Sequence, residues 1–259
     1  MNRLCVIDGN NWFRRRAETD IFGNPLRSCF NELQNYDYDR VILVWDGRRS
    51  LQARRAIYPE YKVHRQAPAE SLFDMQNELK KLAQLSKVDS IEVEGFEGDD
   101  VIACIVKHYQ EQGVKKIFIE SNDADFAQLG CEMARKEFKI PARWVALYKA
   151  TVGDPSDNIK GIGGFGQGAW DKLTDDQRLI LERYVSNING HNQAIGELNI
   201  AEFMAKRHIT WLDDEANRKL LDSYWKIVQF IPMDFKTLEF QPGYNRPDLA
   251  DGVLKSYLS

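Results

Sequence analysis

The stretch KKIFIESNDAD, residues 115–125, runs from a short apolar segment straight into two aspartates. Its β-branched run has no polar face, which suits a strand covered on both sides in a parallel sheet. A strand that simply ended would close on a Gly or Asn turn, but here Asn122 is accompanied by Asp123 and Asp125. One such pair of acids is explained by capping of a following helix. The meaning of the pair therefore depends on how the other strands end.

They end the same way. RLCVID (3–8) and RVILVWD (40–46) are buried-type runs that finish on Asp8 and Asp46, and SIEVEG (90–95) leads into FEGDD. Between the runs lie helical patterns: Leu72, Met75, Leu79 and Leu82 form one apolar stripe, and Val101, Ile102, Ile105, Val106 and Tyr109 form another, closed by Gly113. Alternation of strand and helix predicts an α/β fold, a mostly parallel central sheet with helices on both faces, whose ligands sit beyond the carboxyl ends of the strands. Asp8, Asp46, Glu97, Asp99, Asp100, Asp123 and Asp125 then converge on that crevice.

Asp99 and Asp100 also suit the positive end of the helix DDVIACIVKHYQ, but capping does not account for the other strand ends. Two carboxylates about 5 Å apart repel by roughly 3 kcal/mol at an effective dielectric near 20, so seven of them call for cations. An all-carboxylate set suits Mg²⁺ or Mn²⁺ before Zn²⁺. His64, His108, His191 and His208 have no ligand spacing among themselves. A pair of such ions is the usual apparatus for in-line attack on a phosphodiester.

A second constellation is GDPSDNIKGIGGFGQGAW (153–170), with Asp154 and Asp157 ahead of a glycine tract between two expected helices. Gly161, Gly164 and Gly166 would let backbone N–H groups approach a phosphate, the layout of a helix-hairpin-helix, against the alternative of a plain glycine-rich surface loop. RRSLQARRAIYPEYKVHR (48–65) interleaves Arg48, Arg49, Arg54, Arg55, Lys62 and Arg65 with Tyr58 and Tyr61. Such a run provides phosphate contacts and stacking platforms for unpaired bases, and the competing reading for Arg48 to Arg55 is a solvated helix face.

Composition sets the frame. The 259 residues are 43% hydrophobic, enough for one large α/β core with a helical appendage. Cys5, Cys29, Cys104 and Cys131 are scattered, without disulfide or zinc spacing, and no apolar run suggests a signal peptide or a membrane span, so a cytoplasmic protein is expected. The net charge of −4 conceals a basic remainder: setting nine clustered acids aside from the 39 leaves 30 against 35 Lys and Arg, or +5.

With these residues in view, the sequence resembles the 5′ nuclease (flap endonuclease) family, which includes the 5′ nuclease domain of bacterial DNA polymerase I and phage-encoded, ribonuclease-H-type 5′ nucleases. The resemblance runs in order through VIDGNNWFRR, VWDGRR, YPEYKVHR, EGFEGDDVIA, IESNDADFAQL and GDPSDNIKGIGGFG, about residues 4 to 170. It implies a PIN-like nuclease core over 1–150, with an arch near 62–72, and a helix-hairpin-helix plus C-terminal helical region over 151–259. It implies a first metal group of Asp8, Asp46, Glu97, Asp99 and Asp100 and a second of Asp123, Asp125, Asp154 and Asp157. Lys62 and Arg65, with Asp8, Asp46 and Asp123, are implied as catalytic. DNA contacts are implied for Lys62 and Arg65 at the scissile phosphate, Tyr61 stacked on the displaced nucleotide, Arg14 or Arg15 on a nearby phosphate, and Gly161, Gly164 and Gly166 on the duplex.

The resemblance further implies two Mg²⁺ ions, with Mn²⁺ as a substitute and K⁺ a candidate at the hairpin. The expected substrates are DNA with 5′ flaps, nicks or ends and RNA–DNA hybrids, cut by a monomer that works with a replication-protein partner. In one departure, Gln167 and Gly168 stand where many relatives place a lysine after the hairpin, leaving Lys172 as a substitute. The rival readings are a catalytically inactive DNA-binding scaffold, opposed by the complete acidic set, and a PIN-type ribonuclease, which has no need of GIGGFG.

Overall fold

Five runs of extended chain, β1 (Arg3–Asp8), β2 (Arg40–Trp45), β3 (Asp89–Glu92), β4 (Lys116–Glu120) and β5 (Glu132–Met133), form one parallel sheet in the order β3-β2-β1-β4-β5. The computed structural model describes residues 1–19, 24–66, 69–134, 139–188 and 199–258. Ala67 and Pro68, in the expected arch, lie outside them. The chain divides into two compact units: a sheet unit of Met1–Ser50, Gln66–Phe138 and Ile231–Ser259, and a helical unit of Leu51–Arg65 and Lys139–Phe230.

In the sheet unit, α1 (Gly9–Thr19), α2 (Pro25–Asn35), α4 (Glu70–Gln84), α5 (Gly98–Glu111) and α11 (Ala250–Leu258) surround the strands; α3 (Gln52–Ile57) belongs to the helical unit. Strand residues alternate between faces with a period of two. Cys5, Ile7, Val41, Leu43 and Trp45 pack with Trp12, Leu26, Leu79, Leu82 and Leu254. The alternate set, Leu4, Val6, Ile42 and Val44, is equally buried, and α5 packs against β1 and β2. Full burial on both faces explains why these strands read as continuous apolar runs. Residues 231–258 also belong here: Gln241 exchanges two backbone hydrogen bonds of 2.8 Å with Ser90 of β3, and α11 packs on α4.

The helical unit holds α3 (Gln52–Ile57), α6 (Val145–Val152), α7 (Gln167–Trp170), α8 (Asp175–Ser186), α9 (Lys206–Asp213) and α10 (Glu215–Ile227). Its own apolar cluster joins Leu147, Phe165, Trp170, Leu181, Leu212, Leu221 and Tyr224. Thr174 closes a full capping box with Gln177 at the start of α8, and Asp214 caps α10 through the amides of Ala216 and Asn217. The segment DDEANRKLLDSYWKI (213–227) holds α10.

Part of the basic run is structural. Arg54 is buried, its Nε donating to Ile227 O (3.0 Å) and its Nη2 to Gln229 O (3.2 Å), so it satisfies carbonyls at the end of α10. Arg49 pairs with Glu94. Among the described residues no helix is long and apolar enough to cross a membrane.

Candidate active site

The parallel register brings the carboxyl ends of β1, β2 and β4 to one rim of the sheet, with β1 between its neighbours at the point where strand order reverses. Asp8 is the last residue of β1. Its Oδ2 accepts from Ser121 Oγ (2.8 Å) and its Oδ1 from the Asn11 amide (3.1 Å). Ser121 Oγ also accepts from the Asp123 amide (3.1 Å), tying the ends of β1 and β4 together. Asp46 Oδ1 accepts from the Gly98 amide (2.7 Å), and a Cβ at Gly98 would stand 3.2 Å from that oxygen, so the glycine permits the approach. Asn10 Oδ1 accepts from the Asp46 amide (3.1 Å), and Asn11 Nδ2 donates to Asn122 Oδ1 (2.7 Å).

Asp99, in the first turn of α5, meets Asp123 and Asp125: one carboxylate oxygen from each lies within 4.8 Å of the others. Asp123 serves twice, since its Oδ1 also accepts from the Asp125 amide (2.9 Å) and so caps the 3₁₀ turn that follows β4. The capping and cluster readings of NDAD therefore both hold locally. Glu97 is buried at the head of α5, and Asp100 is fully buried with Oδ1 accepting from the Ile231 amide (2.8 Å). Burial, and then the neighbouring Asp46 and Asp123, push the Asp8 carboxyl up to about 7 against the hydrogen bonds that lower it.

The helical unit holds Asp154 and Asp157, in a short loop braced from residues 58–62. Tyr58 Oη donates to Asn158 O (3.0 Å) and Asn158 Nδ2 donates to Glu60 O (3.2 Å), while the Asp154 and Ile159 backbones bridge. Asn158 takes a φ of 63°, as asparagine can. Lys149 Nζ lies 2.7 Å from Asp154 Oδ2, both side chains buried. Burial raises the Asp154 carboxyl, but Lys149 and the Ser156 hydrogen bonds bring it below the ordinary aspartate value. Arg65 Nη2 and Lys62 Nζ stand 3.2 and 3.9 Å from Asp157 Oδ1, yet burial leaves the Asp157 carboxyl raised.

Lys62 is itself 5% exposed and adopts a φ of 52°, a left-handed conformation costing a non-glycine residue on the order of 1 kcal/mol and found most often at functional sites. Tyr61, expected as a stacking platform, is 2% exposed within the apolar cluster, with Lys62 Nζ 4.7 Å from its ring centroid. Tyr58 is buried too, edge-on to Tyr224. Neither ring offers a free face to a base, and both serve as packing. Of the two candidate arginines on α1, Arg15 is held by Glu120 (2.7 Å), whereas Arg14 is exposed and unpartnered among the described residues.

The glycine tract lies between α6 and α7. Gly161 (φ 71°) and Gly164 (φ 73°) occupy conformations that favour glycine; a Cβ on Gly161 would meet Thr151 O at 2.4 Å, whereas one on Gly166 would meet nothing within 4 Å. Gly161 is thus packed into the unit, and Gly166 faces open space. The sequence reading missed Lys149, Ser121, Asn10 and Asn11. Lys149 was detectable as the single charge in the apolar helix VALYKATV, and the asparagines as the polar pair directly after a strand-ending aspartate.

Comparison with known proteins places this geometry. The family described as 5′-3′ exonuclease, N-terminal resolvase-like domain, matches residues 3–139. DNA polymerase I of Caldicellulosiruptor bescii is 29% identical, the match covering 85% of this chain and 30% of that protein. The chain thus spans under a third of that relative's length. Flap endonuclease Xni of Shewanella piezotolerans is 26% identical, with 86% of this chain and 93% of that protein covered. The phage T5 D15 protein, crystallised with metal ions, shares the fold at a TM-score of 0.60 and 19% identity, covering 98% of this chain and 93% of its own.

Proposed function

The chain belongs to the 5′-3′ exonuclease family, and from that premise we propose that it is a Mg²⁺-dependent, structure-specific 5′ nuclease. Its substrates are DNA with 5′ flaps, nicks or free 5′ ends and RNA primers in RNA–DNA duplexes, met during replication or repair. The observation that carries the reading is the Asp99, Asp123 and Asp125 cluster at the carboxyl ends of the strands.

A divalent cation fits it. Opposite ligands of an octahedral Mg²⁺ are about 4.2 Å apart, so oxygens within 4.8 Å need only small side-chain adjustments, and an all-oxygen donor set suits a hard ion. The Asp8 carboxyl, buried among acids, likewise favours a proton or a cation nearby. We assign Asp8, Asp46, Glu97, Asp99, Asp100, Asp123 and Asp125 in the sheet unit, and Asp154 and Asp157 in the helical unit, as the carboxylates that hold Mg²⁺, with Mn²⁺ as a substitute. When bound, such ions supply an activated water and neutralise the leaving oxygen.

The protein's residues orient and bind. Ser121 and the Asn11 amide fix Asp8, the Gly98 amide fixes Asp46, and the Asp125 amide fixes Asp123. Lys62 and Arg65 provide cations for the scissile phosphate, and Arg14 for a neighbouring one. At the hairpin, the candidates for a bridge to phosphate are a monovalent cation such as K⁺ and the guanidinium of Arg207. Recognition through backbone shape gives little base readout.

The test is digestion of end-labelled flap, nicked, gapped and RNA–DNA substrates with and without Mg²⁺, beside the Asp123→Asn variant. Mg²⁺-dependent release from the 5′ end is expected, with Asp123→Asn slower by at least about a thousand-fold while flap binding persists. Undiminished cleavage by Asp123→Asn would remove the metal assignment. Binding without cleavage by the unaltered chain would favour the scaffold reading.

A further inference from the structure

The carbonyl at the apex of the glycine hairpin already has a cation against it. Gly164 O accepts from Arg207 Nη2 at 3.3 Å and lies 3.0 Å from His208 Nε2, which in turn stands 3.2 Å from Arg207 Nε, both side chains coming from α9. With the His208 proton on Nε2 both lone pairs of the carbonyl have donors, and in either tautomer an alkali ion there would have to share the oxygen with Arg207. Arg207 also lies along the glycine itself: a Cβ at Gly164 would stand 3.2 Å from Arg207 Nε.

Beside this contact is a groove of about 530 Å³, lined by Gly164, Gly166, Lys172, Phe203, Arg207 and His208 among others, with no carboxylate among the described residues that line it. Arg207 is exposed, and among the described residues no acid pairs with it. His208 is buried, and its Nδ1 has no hydrogen-bond partner among the described residues. The two positions after Gly166 are Gln167 and Gly168, so the hairpin's own strand carries no cation until Lys172.

We infer that Arg207 is the resident cation of this hairpin: with Nη2 on Gly164 O and Nε against His208, its outer Nη donors reach a phosphate of duplex DNA in the groove, where an alkali ion would otherwise form the bridge. Guanidinium suits this task because its five donors lie in a rigid planar fork, and with Nη2 on the carbonyl and Nε against His208 the Nη1 side stays available for a phosphate. The consequence is duplex binding that is indifferent to which alkali cation is present. The inference rests on the DNA-binding part of the proposed function and not on cleavage.

The experiment measures binding of the full chain to a nicked duplex and to a single strand, in EDTA, with KCl or LiCl at matched concentrations. The unaltered protein is expected to bind the duplex equally in both salts. Arg207→Ala should bind duplex about ten-fold more weakly, with a salt slope smaller by about one and single-strand binding unchanged. Arg207→Lys, checked like Arg207→Ala for unaltered circular dichroism, should keep the slope and lose part of the affinity.

A several-fold preference for KCl in the unaltered protein, or unchanged duplex binding by Arg207→Ala, would overturn the assignment. Cleavage by the same unaltered protein in Mg²⁺ is scored separately. Loss of the nuclease reading with Arg207-dependent binding intact is thus distinguishable from the reverse.

Discussion

The sheet unit and the helical unit bury carboxylates by opposite means. In the helical unit each acid has a resident cation: Lys149 at 2.7 Å holds Asp154 below its ordinary pKa, and Arg65 and Lys62 attend Asp157. In the sheet unit burial, with Asp46 and Asp123 beside it, pushes Asp8 up to about 7, and the half-buried Asp99, Asp123 and Asp125 bring one carboxylate oxygen each within 4.8 Å of the others. A resident lysine settles part of the charge when the chain folds, and a metal reaching Asp154 or Asp157 has to displace or share with that cation. An acid cluster leaves its charge to a cation that binds later.

The difference sets three expectations. The largest concerns Lys62, the strained and buried cation of the helical unit. Lys62→Ala should slow single-turnover flap cleavage by about a hundred-fold or more, since a cation aimed at phosphate acts mainly on charge developing in the transition state. If the rate holds and only the stability falls, Lys62 is no more than a partner for Asp157, and the contrast reduces to folding.

Next is Lys149→Met, which strands a buried Asp154. Removing one member of a buried pair costs about 3–5 kcal/mol, to be read from urea unfolding without divalent ions. Added Mg²⁺ should restore part of it by taking the lysine's place. No loss on substitution would show that Asp154 escapes to solvent and needs no partner.

The smallest concerns pH. Because the folded pKa of Asp8 lies above the unfolded value of 3.8, the native state holds a proton that the unfolded chain has already released, and stability declines as pH rises from about 4 to 7. The slope from this group is at most about 1.4 kcal/mol per pH unit. Asp154, lowered in the fold, is ionised in both states above about pH 5 and contributes no slope there. Melting in EDTA should therefore show a midpoint that falls between pH 5 and 7, and Mg²⁺ should flatten it. A midpoint that rises over that interval without metal would contradict the raised Asp8.

How much of this was legible follows from which physical rule wrote each part. Continuous apolar runs gave β1 to its end residues and β2 to within a residue, because burial on both faces leaves no polar position in the pattern, while the partly exposed β3 and β4 were placed to within a residue or a few. β5 left no pattern, since two residues carry no period. The acids were legible as strand endings, but Asp100 was not legible as the acceptor for Ile231, a partner 131 residues away. Tyr58, Tyr61 and Arg54 were misread because an aromatic-basic mixture looks the same whether its rings face solvent or a core, and only the packed α10 shows which. Arg207 gave no signal, as its role depends on α9 folding back onto a hairpin 43 residues earlier.

The pairing of Gln241 with Ser90, and of the Ile231 amide with Asp100, also bears on how the chain is born. A ribosome delivers sequence in one direction, and domains fold as their parts emerge. Residues 51–65 and 139–230 are all available before residue 231, so the helical unit can mature while synthesis continues. The sheet unit is complete only when its closing segment has left the exit tunnel. Until then Asp100 lacks the amide of Ile231, and the nascent chain carries its acids on a sheet with an unfinished border. Closure of the acidic rim is thereby placed after assembly of the helical unit.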